Sequence, residues 1–495
     1  MFPYKTSFQL DRKSKKPLYL QLANQFIELI KDRKLVPDTK LPGSRVLSEL
    51  LQVHRKTIVA CYEELHLQGW VESVAKRGTF VHANLPELQQ QEYLEKESEN
   101  QQKSIGFHFY KDEILARKSL EIKDGFMYLN DGISDVRLTP TNYIARIYRR
   151  ICNRKTIHKE MSYGSIFGNE KLRKTLSDYL NKTRGLNTSK ENILITRGSQ
   201  MGIHLSAKLL LKKDNIIVVG ETNYTSADTC FLQQKATLLR VKVDENGLVT
   251  KDIEVLCKHQ KIKAVYVTSH HHHPTTVTLS AERRIHLLNL SKTYNFAIIE
   301  DDYDYDFNYQ HSPILPLASH DTNGNVIYIG SVCKTVAPVF RIGYVVAPKE
   351  FVNEAANHRR FIDRQGDALL ELTFEEFIKN GDLDRHIKKV MKVYKTRRDL
   401  FCQLLSEQFS DVFSFETPKG GMAVWLTLNK KYSWKTVAKL ANKYNLEIGE
   451  WQRYDNANIG HNSIRMGFAT YNETEIYELI NRMKKIFTEL TTEVL

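Results

Sequence analysis

The sequence predicts two folds in series: a small winged helix-turn-helix over residues 1–84, then a long α/β domain with a mainly parallel sheet, helices on both faces and a small α+β C-terminal subdomain. Three observations carry this. Three amphipathic stretches before residue 70 are followed by two short strand-like runs around a basic turn. A polar segment, residues 85–106, then interrupts the pattern and reads as a linker, because it holds too few large apolar side chains to fold alone. Beyond it, short β-branched runs alternate with helical periodicity, as strands buried on both faces do.

Composition narrows the class. At 495 residues, 41% hydrophobic and 26% charged, the chain needs more than one core. No apolar run reaches the ~18 residues that span a bilayer, and Met1-Phe2-Pro3-Tyr4-Lys5 lacks a signal-peptide core, so a cytoplasmic location is expected. The six cysteines include no C-x-x-C pair, which argues against a zinc or disulfide framework. Net charge is +14, and residues 1–84 hold 14 lysines and arginines against 8 acids, a balance that suits a phosphate backbone.

In the first domain, Leu18, Leu22, Phe26 and Leu29 recur at helical spacing after Pro17. Val36-Pro37-Asp38 breaks that helix, and Ser44 is expected to cap a second one running through Leu51. A third helix spans about His54 to Gln68, with Gly69 at its C-terminal cap. Trp70–Ser73 and Gly78–His82 form a hairpin around Ala75-Lys76-Arg77. In this arrangement the start of the third helix, His54, Arg55, Lys56 and Thr57, meets base edges, while Ser44, Arg45, Lys76 and Arg77 hold phosphates. The landmarks P-L-Y-L-Q-L, L-P-G-S-R-V-L-S-E-L, V-H-R-K-T-I-V-A-C-Y-E-E-L and R-G-T-F-V together resemble the GntR-type winged helix, which implies a double-stranded operator DNA partner.

In the second domain, residues 192–196, 215–219, 264–267, 296–299 and 326–329 read as buried strands. A large domain is expected over residues 107–350. After about Phe351 the strands thin out, and a smaller subdomain is expected over residues 351–495.

The chemistry concentrates around Lys334 in Gly330-Ser331-Val332-Cys333-Lys334-Thr335, behind Glu300-Asp301-Asp302-Tyr303 and ahead of Arg341. A pyridoxal 5'-phosphate site needs a lysine amine, a carboxylate for the pyridine nitrogen and donors for the phosphate. Gly198, Ser199 and Gln200 open a helix after a strand and form an anion site. Ser331, Arg341 and Tyr163 are candidate donors to the same phosphate, and Tyr224 and His271 are candidate ring-stacking groups. No metal is expected at His270 to His273, because neighbours on an extended strand face opposite ways. Asp301, Asp302, Asp304 and Asp306 could bind magnesium or form a charged strand end, but an isolated acid at a strand terminus followed by Tyr303 fits the pyridine role better.

Residues 125–495 resemble the fold-type I, class I/II aminotransferases. The resemblance implies Lys334 as Schiff-base lysine, Asp301 as pyridine-nitrogen acid, Tyr303 facing the ring hydroxyl and Arg465 as the arginine for an effector or substrate carboxylate. With the winged helix in front, nearly the whole chain resembles the MocR-type regulators of the GntR superfamily. That implies pyridoxal phosphate on Lys334, an amino compound as effector by aldimine exchange, and a head-to-tail homodimer. A catalytically active aminotransferase with an accessory DNA-binding domain is the alternative, with transamination expected to be residual. Several positions depart from the family pattern: Cys333, Thr276 where glycine is usual, the pair His271-His272, and Thr222.

Overall fold

The computed structural model describes residues 2–85, 105–115, 123–310, 314–449, 451–455 and 459–493. The chain divides into two compact units, Met1–Phe109 and Tyr110–Leu495. Most of the expected linker, residues 86–104, lies outside the described residues.

The first unit is a winged helix. Helices Leu18–Lys31, Ser44–Leu51 and Arg55–Leu67 bury Leu22, Phe26, Leu47, Ile58 and Leu65 in one core. Strands Val71–Val74 and Gly78–Val81 pair antiparallel as the wing, and Lys40 bridges to Phe80 along its edge. Gly69, at φ +77, turns the chain out of the third helix. Residues before Leu18 also belong to this unit: Tyr4 and Phe8 are buried, and the Phe8 ring lies 4.6 Å from Phe26.

The second unit is built on a seven-stranded sheet in the order Ile193–Thr196, Gly343–Val346, Val326–Ser331, Ala297–Asp302, Ile262–Val267, Ile216–Gly220, Thr237–Val241. Only Gly343–Val346 runs against its neighbours. Five of these strands were expected. The other two are an edge strand interrupted by Arg240 and a four-residue strand behind a short helical turn, and neither shows a long apolar run. Helix Ser199–Leu210 packs across the Ala297–Asp302, Val326–Ser331 and Gly343–Val346 strands.

The expected boundary at residue 350 moves in both directions. Helix Ala368–Lys379 packs with Thr141–Cys152 and Glu170–Arg184, and its Leu372, Phe374 and Phe377 share a core with Ile193 and Tyr344. The large domain therefore continues past 350. Conversely, Met127–Tyr128 pairs with Leu446–Glu447, and Leu129 and Leu138 pack on the small-subdomain core. That core covers the antiparallel sheet Phe413–Ser414, Ala423–Leu428, Ser463–Gly467 with helices Asp382–Gln408, Trp434–Ala441 and Glu473–Glu493.

Candidate cofactor and DNA sites

Parallel strands place their following loops at one edge of the sheet, where open α/β folds bind ligands. Here Gly198 follows Ile193–Thr196, Tyr224 follows Ile216–Gly220, Thr268 to His273 follow Ile262–Val267, Asp301 is the last residue but one of its strand and Ser331 ends its own. These loops enclose a cavity of about 300 Å³ lined by Asp131, Ser199, Gln200, Tyr224, His273, Asp301, Tyr303, Ser331, Lys334 and Arg341, among others.

Lys334 is half-buried at the cavity wall, and its Nζ donates to the Gly132 carbonyl at 2.5 Å. Burial lowers its amine pKa, with Asp131 opposing, so the neutral nucleophilic form becomes more accessible. Asp301 is buried, and its Oδ2 accepts from the Tyr266 hydroxyl at 2.8 Å. Its Oδ1 is buried with no hydrogen-bond partner. Desolvation pushes the Asp301 carboxyl up to about 7. A buried acceptor left open at a cavity wall is the feature a protonated ring nitrogen would satisfy.

The phosphate end fits as well. Helix Ser199–Leu210 has no side-chain cap, and its N-cap Gly198 has φ +80. A side chain at Gly198 would lie 3.1 Å from the Arg341 guanidinium, so glycine lets that cation sit over the helix start. Ser331 Oγ donates to the Ile342 carbonyl and accepts from the Cys333 amide, which fixes its direction. Tyr224 reaches Gln200 Oε1 at 3.4 Å. Tyr303 donates to the His271 carbonyl at 2.9 Å, and the Arg465 guanidinium lies against it at 3.4 Å while bonding the Asp131 and Pro274 carbonyls.

Three expectations change. His271 does not reach the cavity; its Nδ1 pairs with Asp304 at 2.8 Å, because the loop turns it inward toward Gly420 and Gly421. His273 lines the cavity instead, edge-on to Tyr224 at 5.1 Å. Tyr163 is 79% exposed under Arg364 and does not line this chain's cavity. Ser44 is the first residue of its helix rather than the cap, which is Gly43; its Oγ accepts from Arg55 Nε at 3.2 Å.

The other histidines and acids take separate partners. His270 bonds Asp302, His272 bonds Thr275, and Asp306 pairs with Arg184. Sequence reasoning missed Asp131, 3.3 Å from Arg453 and 3.6 Å from His273. Burial opposes its charge, yet His273, Lys334 and Arg453 hold its carboxyl well below the usual range. Burial also pushes His273 down to about 4, which keeps the ring neutral near pH 7. No motif marked Asp131, since it comes from a loop some 200 residues before Lys334.

On the winged helix, His54 caps the third helix by accepting from the Lys56 amide. His54, Arg55 and Lys56 are exposed at its start, Thr57 is half-buried, and Arg45 is exposed on the helix before it. Lys76, at φ +62, and Arg77 are exposed at the wing tip, where Arg77 stacks over Phe80.

Residues 133–483 match the family model "Aminotransferase class I and II". The chain belongs to that family. Residues 18–81 match "Bacterial regulatory proteins, gntR family". The uncharacterized HTH-type transcriptional regulator YisV of Bacillus subtilis is 26% identical over 94% of both chains. The HTH-type transcriptional regulator NorG of Staphylococcus aureus is 27% identical over 90% of this chain and all of NorG. The structure of Pyrococcus horikoshii kynurenine aminotransferase, a complex with PMP, superposes with a TM-score of 0.69 at 27% identity, covering 76% of this chain and 97% of that one. The aminotransferase-family domain with a gntR-type winged helix in front is the MocR-type arrangement, and the chain is a DNA-binding regulator by that architecture.

Proposed function

We propose that this regulator binds pyridoxal 5'-phosphate at Lys334 and reads an amino compound through it. The observation that carries the reading is the pairing of the Lys334 amine with the open Asp301 Oδ1 in one cavity, whose far end holds an uncapped helix start and Arg341. When bound, the cofactor supplies an aldehyde that condenses reversibly with primary amines. Lys334 holds it or yields to the incoming amine, Asp301 keeps the ring nitrogen protonated, and Tyr303 faces the ring hydroxyl. Arg341, Ser331, Ser199 and the Gly198 to Gln200 backbone hold the phosphate. Arg465 exchanges its carbonyl partners for an effector carboxylate.

The chain acts as a head-to-tail homodimer, in which the exposed Tyr163 serves the second copy's phosphate site. Such a regulator changes DNA affinity only if the amine binds its two states unequally. A second reading, a working aminotransferase, is favoured by Lys334 and Asp301 lining one cavity, with Arg465 lying against the cavity residue Tyr303. Turnover with amino-acid and 2-oxo-acid pairs tests it.

The primary test is the absorbance of the purified chain with pyridoxal phosphate, beside Lys334→Ala. A band near the visible edge in the unmodified protein, abolished in the variant, is expected. No band in either overturns both readings.

A further inference from the structure

The gntR match begins at residue 18, yet the chain before it is folded onto the winged helix. Tyr4 and Phe8 anchor it in the core. Gln21, on the first helix, then clamps the next loop at both ends: its Oε1 accepts from the Asp11 amide at 3.0 Å, and its Nε2 lies 2.9 Å from the Asp11 carbonyl and 2.7 Å from the Lys16 carbonyl. Gln25 makes a similar exchange with the Gln9 backbone.

Between the clamps lie Arg12, Lys13, Lys15 and Lys16, all exposed. Lys13, Lys15 and Lys16 make no ion pair among the described residues. Asp11 is the acid in the run, and its Oδ1 is turned back onto the Lys13 amide. Arg12 fixes the loop in place by donating to the Gln52 carbonyl at 2.8 Å. Gln52 is the left-handed turn residue between the second and third helices, two positions before His54. The loop therefore stands beside the end of the third helix that carries His54, Arg55 and Lys56.

We infer that this clamped basic loop is an additional phosphate-binding element, holding the DNA backbone that flanks the groove entered by the third helix. Cations fixed in place give up less freedom on binding than a free basic tail does. Phosphate contacts carry no sequence information and show themselves in salt dependence. The inference rests on the DNA-binding reading of the winged helix.

The test is fluorescence anisotropy of the full chain on a duplex of arbitrary sequence, about 30 base pairs long, over a salt series. For Lys13→Ala/Lys15→Ala/Lys16→Ala, the slope of log affinity against log salt should shrink by about 0.9 for each phosphate no longer neutralised, hence by about 2 to 3. A charge-matched control, Lys430→Ala/Lys435→Ala/Lys439→Ala, removes exposed lysines of the other unit and should leave the slope in place. Gln21→Ala keeps every charge but frees the loop, and should weaken binding. An unchanged slope in the loop variant, or an equal fall in the control, overturns the loop's role while DNA binding stands. A parent chain that binds no duplex at any salt overturns the DNA reading itself.

Discussion

At the scale of single residues, Asp301 and Thr276 make the sharpest predictions. Asp301 has a folded-state pKa raised to about 7 by burial. A raised carboxyl adds to stability in full below its unfolded value near 4, and that contribution disappears as pH rises through about 7. In the cofactor-free protein, Asp301→Asn should therefore gain stability relative to the parent by a few kcal/mol between about pH 4 and pH 7, each pKa unit being worth about 1.4 kcal/mol. Comparing denaturant midpoints across that range checks it; parallel curves would contradict the assigned environment. Thr276 sits at φ +67, a left-handed conformation that strains a β-branched residue. Thr276→Gly should raise unfolding stability by about 1 kcal/mol, after the entropy cost of glycine is deducted. At this scale, the place of Lys334 and Asp301 in one cavity was legible because a lysine after hydroxylic residues and an acid near the end of an apolar strand are chemically informative, whereas Tyr303 was singled out through the family resemblance. His271 and His273 were not separable in the sequence. Which of four adjacent imidazoles faces a cavity depends on loop direction, set here by Asp304 and by the turn through Thr276.

At the scale of elements, the winged helix was readable almost throughout, because each helix shows its apolar face and the breaks after the first and third helices show a Pro or Gly; the turn between the second and third, through the left-handed Gln52, carries neither. Phe26 is fully buried between the Phe8 and Tyr62 rings. Phe26→Ala should destabilise that unit by about 3–5 kcal/mol and abolish duplex binding. The pyridoxal-phosphate band of the second unit should survive, since the two units have separate cores. A band that vanishes together with DNA binding would show that the units do not fold independently. The central strands of the large sheet were legible as continuous apolar runs. The segments 127–138 and 368–379 were not, because their placement on the small and large subdomains arises from long-range packing that no local pattern encodes. The N-terminal arm escaped notice for a related reason: its order comes from Gln21 and Gln25, polar residues that sequence alone would assign to a solvated helix face.

At the scale of the whole molecule, a gntR-type winged helix is joined to an aminotransferase-family domain, and the proposed function assigns DNA reading to the first and an amine-reactive cofactor to the cavity of the second. By reciprocity, an amine that alters DNA affinity must have its own affinity altered by DNA by the same factor, typically about 5- to 150-fold. The most direct measurement is the affinity of the full chain for a duplex selected by it from a random library, with and without pyridoxal phosphate and an amine that changes the absorbance band. An affinity shift of at least about fivefold is predicted in the parent chain and none in Lys334→Ala, whose winged helix is intact. Equal affinities in the parent under all three conditions would contradict this, and would leave a DNA-binding protein whose cofactor cavity does not speak to its operator.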